Sequence, residues 1–404
     1  MKKLTDTKPQ KNGADSGTFP LGATLLVVSV FFMTFIGRTI LSPLLLPIEG
    51  EMGISHAEGG SLFLIISIGL MVSMLLSGFM LQRVKHNTSI AIAAMLTGAG
   101  LFLLAASSGL FWFRVGLFIL GTGSGLYLPS GIVTITEIVP VEKRGMGIAI
   151  HEVGAILGLA AGPFFAEAAL RLSDWRSLMW VLGIASLLLG LVYLHLGGGG
   201  KFHGTSPRLR ELQKIMKKRD FWIIAFFFIM GIGLEMGVYS MLPAYLVAGR
   251  GIDQTLVNSM VSTSRLTSLL MIFTAGWLAD CFGYRRIIAV TAIASGTITA
   301  LLGFSSGWLL IVAVYAQPML ISAFFPAGFI AMAGVSSAEQ RNLPVSLIIP
   351  MAYLFGGGMV PAMIGRLAER GAFGAGFVIV GLMMAAGAVL VPFFSRCEEE
   401  RKTV

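Results

Sequence analysis

Three ionisable side chains of this chain stand in stretches that are otherwise uncharged, and they set the chemistry to consider. Arg38 lies in Phe35-Ile-Gly-Arg38-Thr-Ile-Leu41, Glu235 in Gly231-Ile-Gly-Leu-Glu235-Met-Gly237, and Arg265 in the polar run from Asn258 to Ser268. Thr34, Arg38 and Ser42 recur every four residues, which makes one polar stripe on an apolar helix. Tyr239 follows Glu235 by one turn, and Glu235 repeats the place of Arg38 after 197 residues. An ionisable group at a bilayer centre costs at least about 2.5–3.5 kcal/mol, so it faces a partner or a wet cavity. Guanidinium groups grip carboxylates, phosphonates and similar oxyanions by paired hydrogen bonds. Arg38 and Arg265, helped by Thr34 and Tyr239, are therefore expected to bind an anionic substrate. Glu235 is the expected proton-coupling group, with Glu152 and His151 in reserve. The competing reading makes these charges fixed structural pairs, Arg38 with Glu235 or Arg265 with Glu152, and His151 a hydrogen-bonded interface residue.

No enzyme, metal or cofactor chemistry is expected. His151-Glu152 lacks the second histidine of a His-Glu-x-x-His zinc site. Gly121-Thr-Gly-Ser-Gly125 lies inside an apolar span without a strand–helix context, so it is no nucleotide loop.

The elements that must position these residues follow from composition. The chain has 404 residues, of which 55% are hydrophobic and 12% charged. Soluble chains carry roughly 25% charged residues, so lipid must cover most of this one. Measured against the about 20 apolar residues that a helix needs to cross, twelve spans emerge. They are 21–46, 57–80, 88–107, 111–139, 146–170, 177–197, 220–247, 255–279, 286–304, 307–334, 342–365 and 372–395. Met1 to Pro20 is polar and carries no cleavable signal, so Leu21 onward reads as a true span. The expected fold is an all-α membrane protein of two pseudo-symmetric six-helix bundles.

Of 29 Lys and Arg residues, 21 fall in the segments that share a side with the N-terminus, 5 on the other side, and Arg38, Arg114 and Arg265 within spans. The positive-inside rule then places both termini in the cytoplasm. The net charge of +9 is thus a topology signal, and no nucleic-acid partner is expected. Cys281 and Cys397 imply no disulfide framework.

The longest polar break, Gly197 to Asp220, divides the spans six and six. The expected organisation is a tail over 1–20, bundles over 21–197 and 220–395, a linker over 198–219 and a tail over 396–404. Pro207 to Lys218 is either a short amphipathic helix on the membrane surface or a solvated linker. The halves repeat: Gly78 matches Gly276 and Gly162-Pro163 matches Val360-Pro361, each after 198 residues. Two parallel repeats place a solute site between them near the bilayer midplane.

On these residues the chain resembles the major facilitator superfamily across essentially all of its membrane part. Gly276-Trp-Leu-Ala-Asp280-Cys-Phe-Gly-Tyr-Arg285 is similar to the family's loop signature, which implies a cytoplasmic gate latch. The first-half copy, Gly78 to Arg83, departs from it with Gln82 where an acidic residue is usual. Arg114 with Gly121, Gly123 and Gly125 resembles the fourth-helix signature, and Gly154, Gly158, Gly162 and Pro163 the fifth-helix signature of antiporters. These small-xxx-small spacings also let helices pack closely. The resemblance implies that spans 1, 4, 7 and 10 line a central cavity, which Arg38 and Glu235 face from opposite halves with Arg265 nearby, and that spans 5 and 8 meet between the halves. It also implies a monomer without cofactor in the cell membrane.

The function expected is secondary transport of a small, carboxylate-like organic anion by alternating access, coupled to protons. The alternative is a proton-driven drug exporter, supported by the fifth-helix signature and opposed by the buried arginines. Arg114, Glu137 and Glu167, near span ends, are read as structural groups that reach the interface.

Overall fold

In the computed structural model, residues 19–204, 209–336 and 342–394 are described. The basic residues of the two tails, Arg208, Arg341 and Cys397 lie outside them.

Apolar runs become helices because no water is at hand to satisfy an open backbone in lipid. The first half contains span 1 (Leu21–Thr39), span 2 (His56–Met80), span 3 (His86–Ala106), span 4 (Leu110–Ile138), span 5 (Val141–Leu172) and span 6 (Trp175–Leu196). The second contains span 7 (Arg219–Gly249), span 8 (Gln254–Phe282), span 9 (Tyr284–Phe304), span 10 (Gly307–Ala333), span 11 (Leu343–Glu369) and span 12 (Phe373–Phe393). Span 8 bends by 43° between Gln254–Met271 and Thr274–Phe282.

Three features depart from the expected rods. Span 1 ends at Thr39 rather than at 46, and the chain turns into a short helix, Leu45–Met52. Span 7 carries widened π turns at Gly233–Gly237 and Tyr245–Gly249, and span 11 carries one at Tyr353–Met359. The linker forms a helix over Leu209–Met216, whose Ile215 is buried in the apolar core of the second half.

The ends of the spans are fixed by side chains. Ser55 and Glu58 form a capping box at the start of span 2, and Asp174 accepts from the Ser177 amide at the start of span 6. Each such cap stabilises by about 1 kcal/mol. Arg176 pairs with Glu51 at 2.8 Å and donates to the carbonyls of Ala105 and Ser107, tying three loops together.

The halves join where span 5 packs on span 8 and span 2 on span 11. Small residues permit this. A Cβ on Gly60 of span 2 would stand 2.5 Å from the Pro361 carbonyl oxygen of span 11, closer than real atoms approach. Gly158 of span 5 seats Phe35 and Ile36 of span 1, and Gly162 lies below the Tyr239 hydroxyl.

Hydrogen bonds between the halves lie at mid-span and on the side away from the termini, here the far side. On the terminus side, span 2 meets the second half through apolar Leu70 and Met74.

Candidate functional site

Two glycine-rich segments build the centre of the molecule. Gly231-Ile-Gly-Leu-Glu-Met-Gly237 and Tyr353-Leu-Phe-Gly-Gly-Gly-Met359 each widen one helical turn, and the two turns pack together. A Cβ on Gly237 would stand 2.5 Å from the Gly356 carbonyl oxygen, so only glycine allows this approach. Widened turns of this kind are frequent at functional sites because they redirect side chains and free backbone groups.

Around them the structure gathers the three intramembrane charges. Glu235 sits in the span 7 turn, and Arg265 reaches it from span 8, Nη1 to Oε1 at 3.2 Å. The Arg265 guanidinium also lies over the Tyr239 ring, 4.7 Å from its centre. Arg38 comes from span 1, donates to the Tyr353 hydroxyl at 3.2 Å, and stacks on the rings of Phe35 at 4.2 Å and Tyr353 at 4.7 Å. Among the described residues no carboxylate pairs with Arg38.

Both structural pairings considered from sequence are corrected. Glu235 takes Arg265, its neighbour on the next antiparallel span of the same half, so it is not the partner of Arg38. Glu152 stays on span 5 beside His151, with its side chain 47% exposed. The charges also do not face an open void in this state. Arg38, Glu235 and Arg265 are 7%, 8% and 1% exposed, enclosed by packed side chains.

The enclosure leaves polar atoms without partners: Arg38 Nε, Arg265 Nε and Nη2, Glu235 Oε2 and Gln317 Oε1. Buried polar atoms are rarely left so, because each costs on the order of 1–3 kcal/mol. Gln317 was missed by sequence reasoning. It enters from span 10 and donates to the Leu234 carbonyl of the widened turn at 2.9 Å. An amide within the apolar run Val312-Ala-Val-Tyr-Ala-Gln317 was the signal available.

The hydroxyls nearby are engaged. Thr34 donates to the Phe31 carbonyl, Ser42 to the Tyr239 carbonyl, and Tyr239 to the Leu159 carbonyl. Tyr239 therefore offers Arg265 a ring face and spends its hydroxyl on span 5.

His151 and Glu152 form a separate group. His151 is 1% exposed and stacks on Phe31, with ring centres 4.1 Å apart. Its Nε2 lies 3.0 Å from the Tyr127 hydroxyl, which itself donates to the Val27 carbonyl at 3.0 Å. A phenol has one proton to donate, so His151 Nε2 must be the donor to Tyr127. Nδ1, 3.1 Å from Glu152 Oε1, then meets a carboxyl oxygen. That contact is attractive only when a second proton lies between the two groups.

The loop residues are not brought together as a latch. Arg83 and Asp280 are exposed and in no ion pair among the described residues, while Gly276 has open space where a side chain would be. Gly78 lies half-buried near the end of span 2. Arg285 instead donates to the Val391, Pro392 and Phe394 carbonyls, closing the end of span 12.

Glu167 corrects another expectation. Rather than merely reaching the interface, it accepts from Thr255 at 2.7 Å and Asn258 at 2.9 Å of span 8, and from Arg171 at 2.6 Å. Its carboxylate ties the halves on the far side. Beside it, Ser262 donates to the Ala160 carbonyl at 2.5 Å.

A cavity of about 560 Å³ opens on the far side between His56, Tyr245, Arg250 and Phe373, away from the intramembrane charges. Its cation is already used: Arg250 donates to the Tyr245 hydroxyl at 2.6 Å and the Gly303 carbonyl at 3.0 Å.

The sequence matches the family model described as the Major Facilitator Superfamily over residues 27–262 and 221–404. It is 24% identical over 400 residues to a protein of Cupriavidus necator named "Probable sulfoacetate transporter", with 91% of each chain covered. It is 21% identical to a D-galactonate transporter of Escherichia coli, covering 94% of this chain and 96% of the relative. Among solved structures, an inward-facing, occupied bacterial homolog of the human lysosomal transporter Spinster superposes with a TM-score of 0.76 at 14% identity, covering 95% and 98% of the two chains. A D-xylose–proton symporter superposes with a TM-score of 0.75 at 15% identity, covering 94% and 99%.

Proposed function

The chain belongs to the Major Facilitator Superfamily and is a membrane transporter rather than an enzyme, and from that premise we propose that it carries a small organic anion in company with protons. The observation that supports this most is Arg38, a guanidinium 7% exposed, stacked between two rings and without a carboxylate partner among the described residues. A charge held so in hydrocarbon needs a counter-ion, and a substrate oxyanion supplies one. Arg265 contributes the second binding group through its unmatched Nε and Nη2. The relatives named for sulfoacetate and galactonate carry organic acids, which agrees with this chemistry.

Glu235 serves as the coupling group. While ionised it holds Arg265, and once protonated it releases that guanidinium to the substrate. His151 and Glu152, which share a proton site of their own, are the reserve. Thr34 and Tyr239 shape the site through their backbone-bound hydroxyls and, for Tyr239, its ring. Gly158, Gly162 and Pro163 supply the surface on which span 5 moves against spans 1 and 7, while Gly78, Arg83, Gly276, Asp280 and Arg285 stand at the terminus-side gate and would form its latch only in another state of the cycle. The protein works as a monomer in the inner membrane, with both termini cytoplasmic and the two bundles over 21–197 and 220–395. Export of cationic drugs gains no support from a site with two guanidiniums and one carboxylate.

The test is uptake of labelled sulfoacetate and D-galactonate into proteoliposomes under an imposed pH gradient. Saturable uptake of either anion that Arg38→Ala abolishes is the expected result. Wild-type uptake in both Arg38→Ala and Arg265→Ala would remove the anion site.

A further inference from the structure

The unmatched atoms of the central site do more than call for an anion; they describe its shape. Three of the five are guanidinium nitrogens, and they come from two arginines that approach from different halves. Arg38 is held through Tyr353 at the head of one widened turn, and Arg265 through Glu235 in the other, and the two turns pack on each other. Each half thus brings one guanidinium with unmatched nitrogen to this pair of turns.

What the site lacks is equally specific. Sugar acids carry a hydroxyl on nearly every carbon, and each buried hydroxyl needs an acceptor. The side-chain acceptors left without a partner are Glu235 Oε2 and Gln317 Oε1. The hydroxyls of Thr34, Thr39, Ser42, Ser124, Tyr239 and Ser240 already spend their protons on backbone carbonyls, so they can accept from a ligand but have no proton left for its charged heads. The walls next to the guanidiniums are the rings of Phe35, Tyr353 and Tyr239. Such walls suit a short carbon backbone.

Charge points the same way. With Glu235 ionised, the three groups sum to one positive charge; with Glu235 protonated, they sum to two. A ligand with two negative charges is then neutralised when the carboxyl takes up a proton, and no net charge is left in hydrocarbon.

Resting on the anion reading above, we propose that the substrate is a compact, two-headed organic anion: two acidic groups, carboxylate or sulfonate, on a short backbone with at most one or two hydroxyls. Arg38 takes one head and Arg265 the other. The dianion binds together with a proton on Glu235.

The experiment measures thermal stabilisation of the purified, lipid-reconstituted protein by sulfoacetate, malonate, methanesulfonate and D-galactonate at equal concentrations. A bound ligand raises the midpoint by mass action. The expected order places sulfoacetate or malonate first, with methanesulfonate and D-galactonate weaker by about tenfold or more in affinity, the loss of one charge-assisted contact. Arg38→Lys and Arg265→Lys should each weaken the two-headed anions towards the one-headed level. If methanesulfonate stabilises as well as sulfoacetate, the second head is not read and the proposal fails. If D-galactonate leads, the proposal fails while the anion reading stands. If none of the four shifts the midpoint, the anion reading itself falls. The ranking on the wild-type protein decides these cases even if a variant folds poorly.

Discussion

Arg265 gives Glu235 a single nitrogen at 3.2 Å and keeps Nε and Nη2 free of any partner, while Glu235 keeps Oε2 free. A settled structural pair would be bidentate, because the guanidinium fork matches both carboxylate oxygens. A monodentate contact between two buried charges leaves each able to take another partner. Removing one member of a buried pair strands the other, at a cost of about 3–5 kcal/mol. Glu235→Ala should therefore lower the unfolding midpoint strongly, and Glu235→Ala with Arg265→Ala should recover part of the loss. A double-mutant cycle on thermal unfolding measures this, and strictly additive losses would mean that the two groups are not coupled.

Glu235→Gln keeps shape and one hydrogen bond but cannot exchange a proton. It should lose accumulation driven by a pH gradient while retaining exchange of substrate across the membrane. Accumulation at the wild-type level would move proton coupling away from this carboxyl.

Arg38 is held by two ring faces and one hydroxyl. Lysine keeps the charge but loses the planar fork and the stacking, and a desolvated cation–ring contact is worth about 2 kcal/mol. Arg38→Lys is expected to cut transport by at least about tenfold, since about 1.4 kcal/mol is a factor of ten. Uptake kinetics check this, and transport equal to wild type would show that charge alone suffices.

Much of this was legible in the sequence. Apolar runs gave the spans, the repeat after about two hundred residues gave the halves, and Arg38, Glu235 and Arg265 stood out because little else in their stretches is charged. The pairing was not legible. Which carboxylate an arginine meets depends on how neighbouring spans are rotated, and a single sequence does not encode that rotation in any short pattern. Glu167 shows the same limit: it reads as a structural group reaching the interface, and its partners Thr255 and Asn258 lie about ninety residues away. The widened turns left a trace in Gly231 to Gly237 and Gly356 to Gly358, but glycine runs also mark ordinary close packing, so the trace was not specific.

The far-side tie made by Glu167 leads to a conformational prediction. Each hydrogen bond to a charged group is worth about 1.5–3 kcal/mol, and two of those made by Glu167 cross between the halves. Glu167→Ala should shift the protein towards a state open on the far side. A cysteine placed at Leu64, which packs against Gly358 of span 11, reports it. Its maleimide labelling should speed up by about tenfold or more, the population change for about 1.4 kcal/mol. An unchanged rate would show that Glu167 does not hold this gate.

Glu49 supplies a pH prediction outside the spans. It lies in the short helix Leu45–Met52, with His56 Nδ1 2.6 Å from its carboxyl, and burial raises it above its ordinary value of 4.5 against the opposing pull of His56. The folded protein then binds more protons than the unfolded chain from about pH 4.5 upward. By linkage this contribution to stability falls as pH rises through that window. Glu49→Gln should remove the fall. Melting curves of both proteins across that range check it, and parallel curves would reject it.

His151 gives the last prediction, which depends on counting protons. Tyr127 spends its proton on the Val27 carbonyl, so its oxygen accepts from His151 Nε2. Phe31 and Val28 of span 1, which pack on this part of span 5, carry no ionisable group. Tyr127 comes from span 4. Glu152 is thus the group placed to share a second proton with Nδ1. Nitrogen-15 spectra of histidine-labelled protein distinguish the tautomers, and His151→Gln assigns the signal among five histidines. The wild type should show Nε2 protonated and Nδ1 sharing a proton. In Glu152→Gln the amide can donate to the Nδ1 lone pair, so His151 should become a neutral ring with its proton on Nε2. Tyr127→Phe should release that constraint and let the other tautomer appear. A wild-type ring protonated on Nδ1 alone would overturn the count, because Tyr127 would then have to give its one proton to two acceptors.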